Sequence, residues 1–165
     1  GSESSLSERE SPEAFAAKLM AFDVISMDVF DTLLFRPFSE PADLFYLVGM
    51  ELCYPDFRQI RIDAEEQAAE NKQRETGTRE VTFQEIWEEI ERETGIPKER
   101  GMQVESSWEL RCCFANPYML RVVKALQAQG KAIVATSDMY LPSGFIQELL
   151  HQCGYGTLSN CVCLL

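Results

Sequence analysis

The sequence predicts an α/β fold, a partial Rossmann-like core with a bundle of helices inserted after its first strand. Three observations carry that reading. Phe22 to Met27 is a short apolar run that ends at a polar turn, and Lys131 to Ser137 is a second one. Short apolar runs of this kind read as strands buried in a parallel sheet. Residues 37–115, between them, are helical in pattern throughout, with apolar residues three and four apart. A last apolar run, 160–165, supplies a third strand. The core order is then helix, strand, bundle, helix, strand, helix, strand, with core segments at 13–36 and 116–165.

The elements follow in order. Residues 1–12 are polar and acidic and read as a disordered lead, with Gly1 and Ser2 a cloning scar. A helix precedes the first strand. Ser39 and Pro41 open the first inserted helix, with Leu44, Phe45, Leu47, Val48 and Leu52 as its stripe. Asp56 precedes a longer helix with Phe57, Ile60, Ala64 and Ala68 inward, stopping near Gly77. Thr82 to Glu85 is a capping box, and Phe83, Ile86, Trp87 and Ile90 form the inner face behind it. Gly95 ends that helix. Pro97 opens a fourth, with Val104, Trp108 and Cys112 inward. Four amphipathic helices in a row predict a small bundle. Asn116 to Gln129, with Pro117 in its first turn and Gly130 behind it, returns the chain to the sheet. Pro142 to Phe145 opens a last helix.

Composition narrows the function. At 165 residues the chain can bury a fair core. No apolar run reaches the ~18 residues of a membrane span, so no membrane partner is expected. A formal charge of −12 argues against nucleic acid as a partner and requires any phosphate site to be locally positive. The six cysteines include no CxxC pair, and the one histidine is His151, so a zinc site is not predicted. Reduced thiols in a cytoplasmic protein are the expectation.

The chemistry concentrates at the ends of the two strands. Asp28 stands where the first strand stops, the place where open α/β sheets put reactive groups. A carboxylate there can act as a covalent nucleophile; the plainer alternative is an Asp that caps a turn. Thr32 lies four residues on. At the second strand end, Thr136, Ser137 and Asp138 precede a helix start that would favour an anion. Ser137 could equally cap a helix. Arg36, just past the first motif, and Arg61, near the edge of an inner face, could hold a phosphate or carboxylate bidentately. For Arg61 the plainer reading is a structural pair with Glu65.

The runs MDVFDTLLFRP, from Met27, and SDMYLP, from Ser137, together resemble the haloacid dehalogenase-like (HAD) hydrolase superfamily. They fit best its branch with FDxFDTLLxRP and SDMYLP signatures, predicted hydrolases often associated with glycosyltransferases. The resemblance implies that Asp28 is the nucleophile and that Thr32 supports its turn. It makes Ser137 the hydroxyl that holds the phosphoryl group, with Thr136 the candidate if the register is one off. Thr136, Asp138, Arg36 and Arg61 would bind substrate. The inserted helices, 37–115, would be a C1-type cap. Mg²⁺ would be held by Asp28 and the backbone carbonyl of Phe30. The implied function is a Mg²⁺-dependent phosphohydrolase that forms an aspartyl-phosphate on a small phosphorylated or otherwise activated substrate.

Two departures qualify the match. The position two after the nucleophile usually carries a second Asp as general acid–base; here it is Phe30. An aromatic there occurs in the dehalogenase branch, where halide needs no proton, so a metal-free dehalogenase-type hydrolase is the alternative. The family's third and fourth motifs, a Lys and an acidic Mg²⁺ cluster, have no counterpart, so the resemblance covers the front part of a complete domain. A truncated, inactive chain is the expectation, with weak Mg²⁺ binding and a possible homodimer through the edge of the terminal strand. A non-catalytic interaction or regulatory module is the reading from outside the enzyme class.

Overall fold

A computed structural model describes residues 10–137, 141–156, 158 and 160–163. It is mixed α/β. Helix α1 (Pro12–Leu19) is capped by Ser11, whose hydroxyl accepts from the Ala14 amide at 3.1 Å. Strand β1 is Ile25–Asp28 and the two-residue β2 is Leu34–Phe35. Helices α2 (Leu44–Leu52), α3 (Phe57–Thr76), α4 (Phe83–Thr94) and α5 (Lys98–Cys112) form the insertion. Strand β3 (Phe114–Ala115), helix α6 (Pro117–Ala128), strand β4 (Ile133–Ser137), helix α7 (Ser143–Gln152) and strand β5 (Asn160–Cys163) complete the order.

The order of core elements agrees with the expectation; several boundaries do not. Helix α1 already begins at Pro12, inside the expected lead, and residues 1–9 of that lead lie outside the described residues. The first strand starts at Ile25, not Phe22. Its partner ladder begins at Ile133, and Phe22 and Val24 are exposed in a bend ahead of it. Pro142 caps α7 rather than sitting within it.

Strands β1, β4 and β5 form one parallel sheet in the order β1-β4-β5, with Asp28 level with Thr136 and Ser137 level with Cys163. Parallel neighbours require crossovers, and right-handed crossovers put α6 and α7 on the same side. Burial follows. Ile25, Met27, Ile133, Ala135 and Ser137 are buried on one face, while Ser26 and Asp28 are exposed on the other. The described sheet therefore has a free edge at β1 as well as at β5. Helix α1 packs on α6 and is tied to it by the Arg121–Glu13 pair at 2.6 Å.

The insertion leaves and re-enters the core through an antiparallel ribbon of β2 and β3, with Leu34 opposite Ala115 and Phe35 opposite Phe114. The Phe35 and Phe114 rings meet edge to face at 5.9 Å. Within the insertion the capping box is present: Thr82 and Glu85 each satisfy the other's backbone amide, at 3.1 Å. All four apolar residues expected on the inner face of α4 are buried. The other faces need correction. On α2, Gly49 is buried while Leu47 and Leu52 are only partly so. On α3 Phe57, Ala64 and Ala68 are buried as expected, but Arg61 is buried with them and Ile60 is partly exposed. On α5 it is Gly101, Glu105 and Glu109 that join Val104 inside, while Trp108 and Cys112 are half-buried. An apolar-periodicity reading cannot see a face whose acids are buried against arginines.

That network defines the centre of the bundle. Glu105 accepts from Arg61 Nε at 2.8 Å and Nη2 at 3.1 Å, and from Trp87 Nε1 at 3.1 Å. The Arg61 guanidinium also lies 4.5 Å from the centre of the Phe45 ring. Gly101 lets α5 approach the Trp87 indole; a Cβ there would stand 2.1 Å from Cζ3.

Among the described residues no helix is long and apolar enough to cross a membrane. Cys53, Cys112, Cys113 and Cys153 are free thiols.

Candidate active site

Asp28 is the last residue of β1, and Thr136 is its neighbour across the parallel ladder. Because side chains alternate along a strand, both project from the open face of the sheet. The Thr136 hydroxyl donates to Asp28 Oδ1 at 3.0 Å. Ser137, one residue on, is directed to the opposite face and is only 5% exposed. The register therefore brings Thr136, and not Ser137, to the carboxylate. Helix α7 starts at Ser143, so Ser137 does not cap it. Asp138 lies outside the described residues.

The turn after Asp28 is closed by its own backbone. Val29 donates to the Thr136 carbonyl at 2.9 Å, which extends the ladder by one step. The Val29 carbonyl accepts from Leu33 at 2.9 Å and from Leu34 at 2.8 Å, and the Asp31 amide donates to the Leu34 carbonyl at 2.9 Å. Asp31 takes a left-handed φ of 67°, which Asp tolerates better than most residues, and is exposed at the tip. Val29, Leu33 and Leu34 are fully buried and anchor the turn.

Two residues from elsewhere clamp that turn. Asn116 caps α6 through its side-chain oxygen and donates Nδ2 to the Thr32 carbonyl at 3.0 Å. Its backbone amide donates to the Leu33 carbonyl at 2.9 Å. The Tyr155 hydroxyl donates to the same Leu33 carbonyl at 2.5 Å, and burial raises the pKa of that phenol and keeps it protonated. Asn116 was readable only as a helix start. Tyr155, in the turn after α7, carried no sequence signal.

Arg36 follows β2 directly. Its guanidinium carbon lies 4.4 Å from the centre of the Phe30 ring, and Nη2 pairs with Glu109 Oε1 at 3.1 Å. Both side chains are nearly buried, Arg36 10% and Glu109 1% exposed. Burial raises the Glu109 carboxyl above its ordinary value despite the opposing pull of Arg36. Burial and then Glu109 push the Cys113 thiol up to about 12, so it stays protonated and is not a nucleophile at neutral pH. Arg61, by contrast, is held wholly inside the bundle by Glu105 and, at 2.9 Å, Glu65. It has no exposure through which to meet a ligand.

The described residues offer a divalent cation one carboxylate, Asp28, and the Phe30 carbonyl. They include no group of three or more His, Cys, Asp or Glu side chains suited to a metal. Octahedral Mg²⁺ bound through so few protein groups would be held weakly, with water and a substrate phosphate completing its shell. No family model matches the sequence, and no curated protein matches it.

Proposed function

We propose that the chain is a HAD-like hydrolase, with residues 37–115 as the cap, acting as a phosphohydrolase through an aspartyl-phosphate on Asp28. The observation that supports it best is the Asp28–Thr136 pair at 3.0 Å, at the carboxyl ends of adjacent parallel strands. In this mechanism the Asp28 carboxylate attacks phosphorus. Thr136 orients it by holding Oδ1, so the other carboxylate oxygen is the one presented. Asn116 and Tyr155 keep the following turn from shifting, which matters because small errors in attack geometry are costly. Water then hydrolyses the acyl phosphate.

Phe30 supplies no proton, so the leaving group departs without one or takes it from water or the cap. The same residue, covered by Arg36, favours a second reading: a dehalogenase-type displacement of halide by Asp28, which needs neither proton nor metal.

The test is hydrolysis of an activated aryl phosphate, in Mg²⁺ and in EDTA, alongside a screen of short 2-haloacids. Asp28→Asn should abolish turnover of either class. Turnover that survives the substitution removes Asp28 as nucleophile. Silence of both this chain and a C-terminally extended form towards both classes favours a non-catalytic interaction or regulatory module.

A further inference from the structure

Glu105 and Glu109 are one helical turn apart on α5, and both are buried. Glu105 is spent on Arg61 and Trp87, inside the bundle. Glu109, near the end of α5 that leads to β3, holds Arg36. Cys113 approaches from the same helix end, its thiol 3.6 Å from Glu109 Oε2. Arg36 in turn lies on the ring of Phe30, two residues from Asp28. A buried carboxylate thus fixes a guanidinium against the position where a general acid is missing. A guanidinium cannot donate its proton at neutral pH, but it can neutralise an anion, and its planar fork matches a carboxylate or phosphate.

We infer that Arg36 takes over the leaving-group side of the reaction, with Glu109 as its positioning residue, and that the substrates are phosphoryl donors whose leaving group departs as an anion. The inference rests on the aspartyl-phosphate reading of Asp28. Acyl phosphates and phosphoanhydrides are the class; alkyl phosphate esters are excluded. In the step, a carboxylate oxygen of Asp28 forms a bond to phosphorus. The bond from phosphorus to the bridging oxygen breaks, and its electron pair stays on the departing carboxylate or phosphate. No proton is transferred. Arg36 meets the charge that develops on that oxygen. Groups of this kind act most strongly where water is excluded, and removal of one such donor lowers rates by about 10²–10³-fold.

The experiment follows phosphorylation of Asp28 by mass spectrometry, with acetyl phosphate, a series of substituted aryl phosphates and glycerol phosphate as donors. It uses the full chain, Arg36→Ala, Arg36→Lys and Glu109→Gln, each checked for the native circular dichroism spectrum. Arg36→Lys retains the charge and serves where Arg36→Ala does not fold. The expected result is phosphorylation by acetyl phosphate and not by glycerol phosphate. Rates should fall about 100-fold in Arg36→Ala and less in Glu109→Gln. The dependence on leaving-group pKa should steepen in the same order, a change that a purely structural role would not produce. Equal slowing with every donor, with the slope unchanged, overturns the inference and leaves Asp28 as nucleophile. Failure of Asp28 to accept phosphoryl from any donor, in this chain and in a C-terminally extended form, overturns both.

Discussion

Glu105→Ala removes three hydrogen bonds at once from the centre of the bundle: two from Arg61, at 2.8 and 3.1 Å, and one from Trp87, at 3.1 Å. It also leaves the guanidinium of Arg61, wholly buried, without its main counter-charge. Breaking a buried pair from one side costs about 3–5 kcal/mol. Glu65 remains 2.9 Å from Arg61 Nη1, but it is 43% exposed and so a weaker partner. The loss should therefore sit near the lower end, about 3 kcal/mol, or a fall in Tm of about 6–12 °C for a chain of this size. Urea unfolding followed by far-ultraviolet circular dichroism reads it directly. The double variant Arg61→Met with Glu105→Leu should recover most of the loss, since replacing a buried pair by apolar residues is often neutral or better. A loss under about 1 kcal/mol in the single variant would refute the reasoning, because a buried guanidinium stripped of its main counter-charge cannot be that cheap.

Gly101→Ala should cost about 1–3 kcal/mol despite the better helix propensity of alanine, because the new Cβ would stand 2.1 Å from the Trp87 ring; a lowered Tm with an altered near-ultraviolet tryptophan signal checks it. Glu109 has a folded pKa raised by burial above its ordinary 4.5. Its contribution to stability is therefore complete below about pH 4.5 and is lost as pH rises through the raised value. Between about pH 4.5 and 7 the stability of Glu109→Gln relative to the unsubstituted chain should improve as pH rises, measured as the difference in urea midpoints; a difference that is flat or runs the other way contradicts the buried placement of that carboxyl.

The order of elements was legible because each rests on a local signal. Thr82 and Glu85 announce a helix start, Asn116 and Pro117 another, and the strand runs end at polar residues. Asp28 and Thr136 were readable as candidates for the same reason. What could not be read is what depends on pairing between distant residues. Whether Thr136 or Ser137 faces Asp28 is set by the register of β1 on β4, and a shift of one residue exchanges the faces. That Glu105 and Glu109 are buried, and Arg61 with them, is not visible until their partners on other elements are known. Tyr155 reaches Leu33 across the fold from a turn with no motif.

The two-residue ribbon of β2 and β3 has a kinetic meaning. Asp28 and Thr136 are 108 residues apart in sequence, and joining them directly would close a long loop. Once the bundle has formed, the ribbon holds its two ends together, and the chain that remains to be closed is about a quarter as long. Each halving of a loop saves about 0.6 kcal/mol of closure entropy, so the saving is about 1.2 kcal/mol. The saving holds for any folding route in which the bundle and ribbon form before β1 pairs with β4. The bundle, whatever it does over the site, is then also the element that lets β1 find β4.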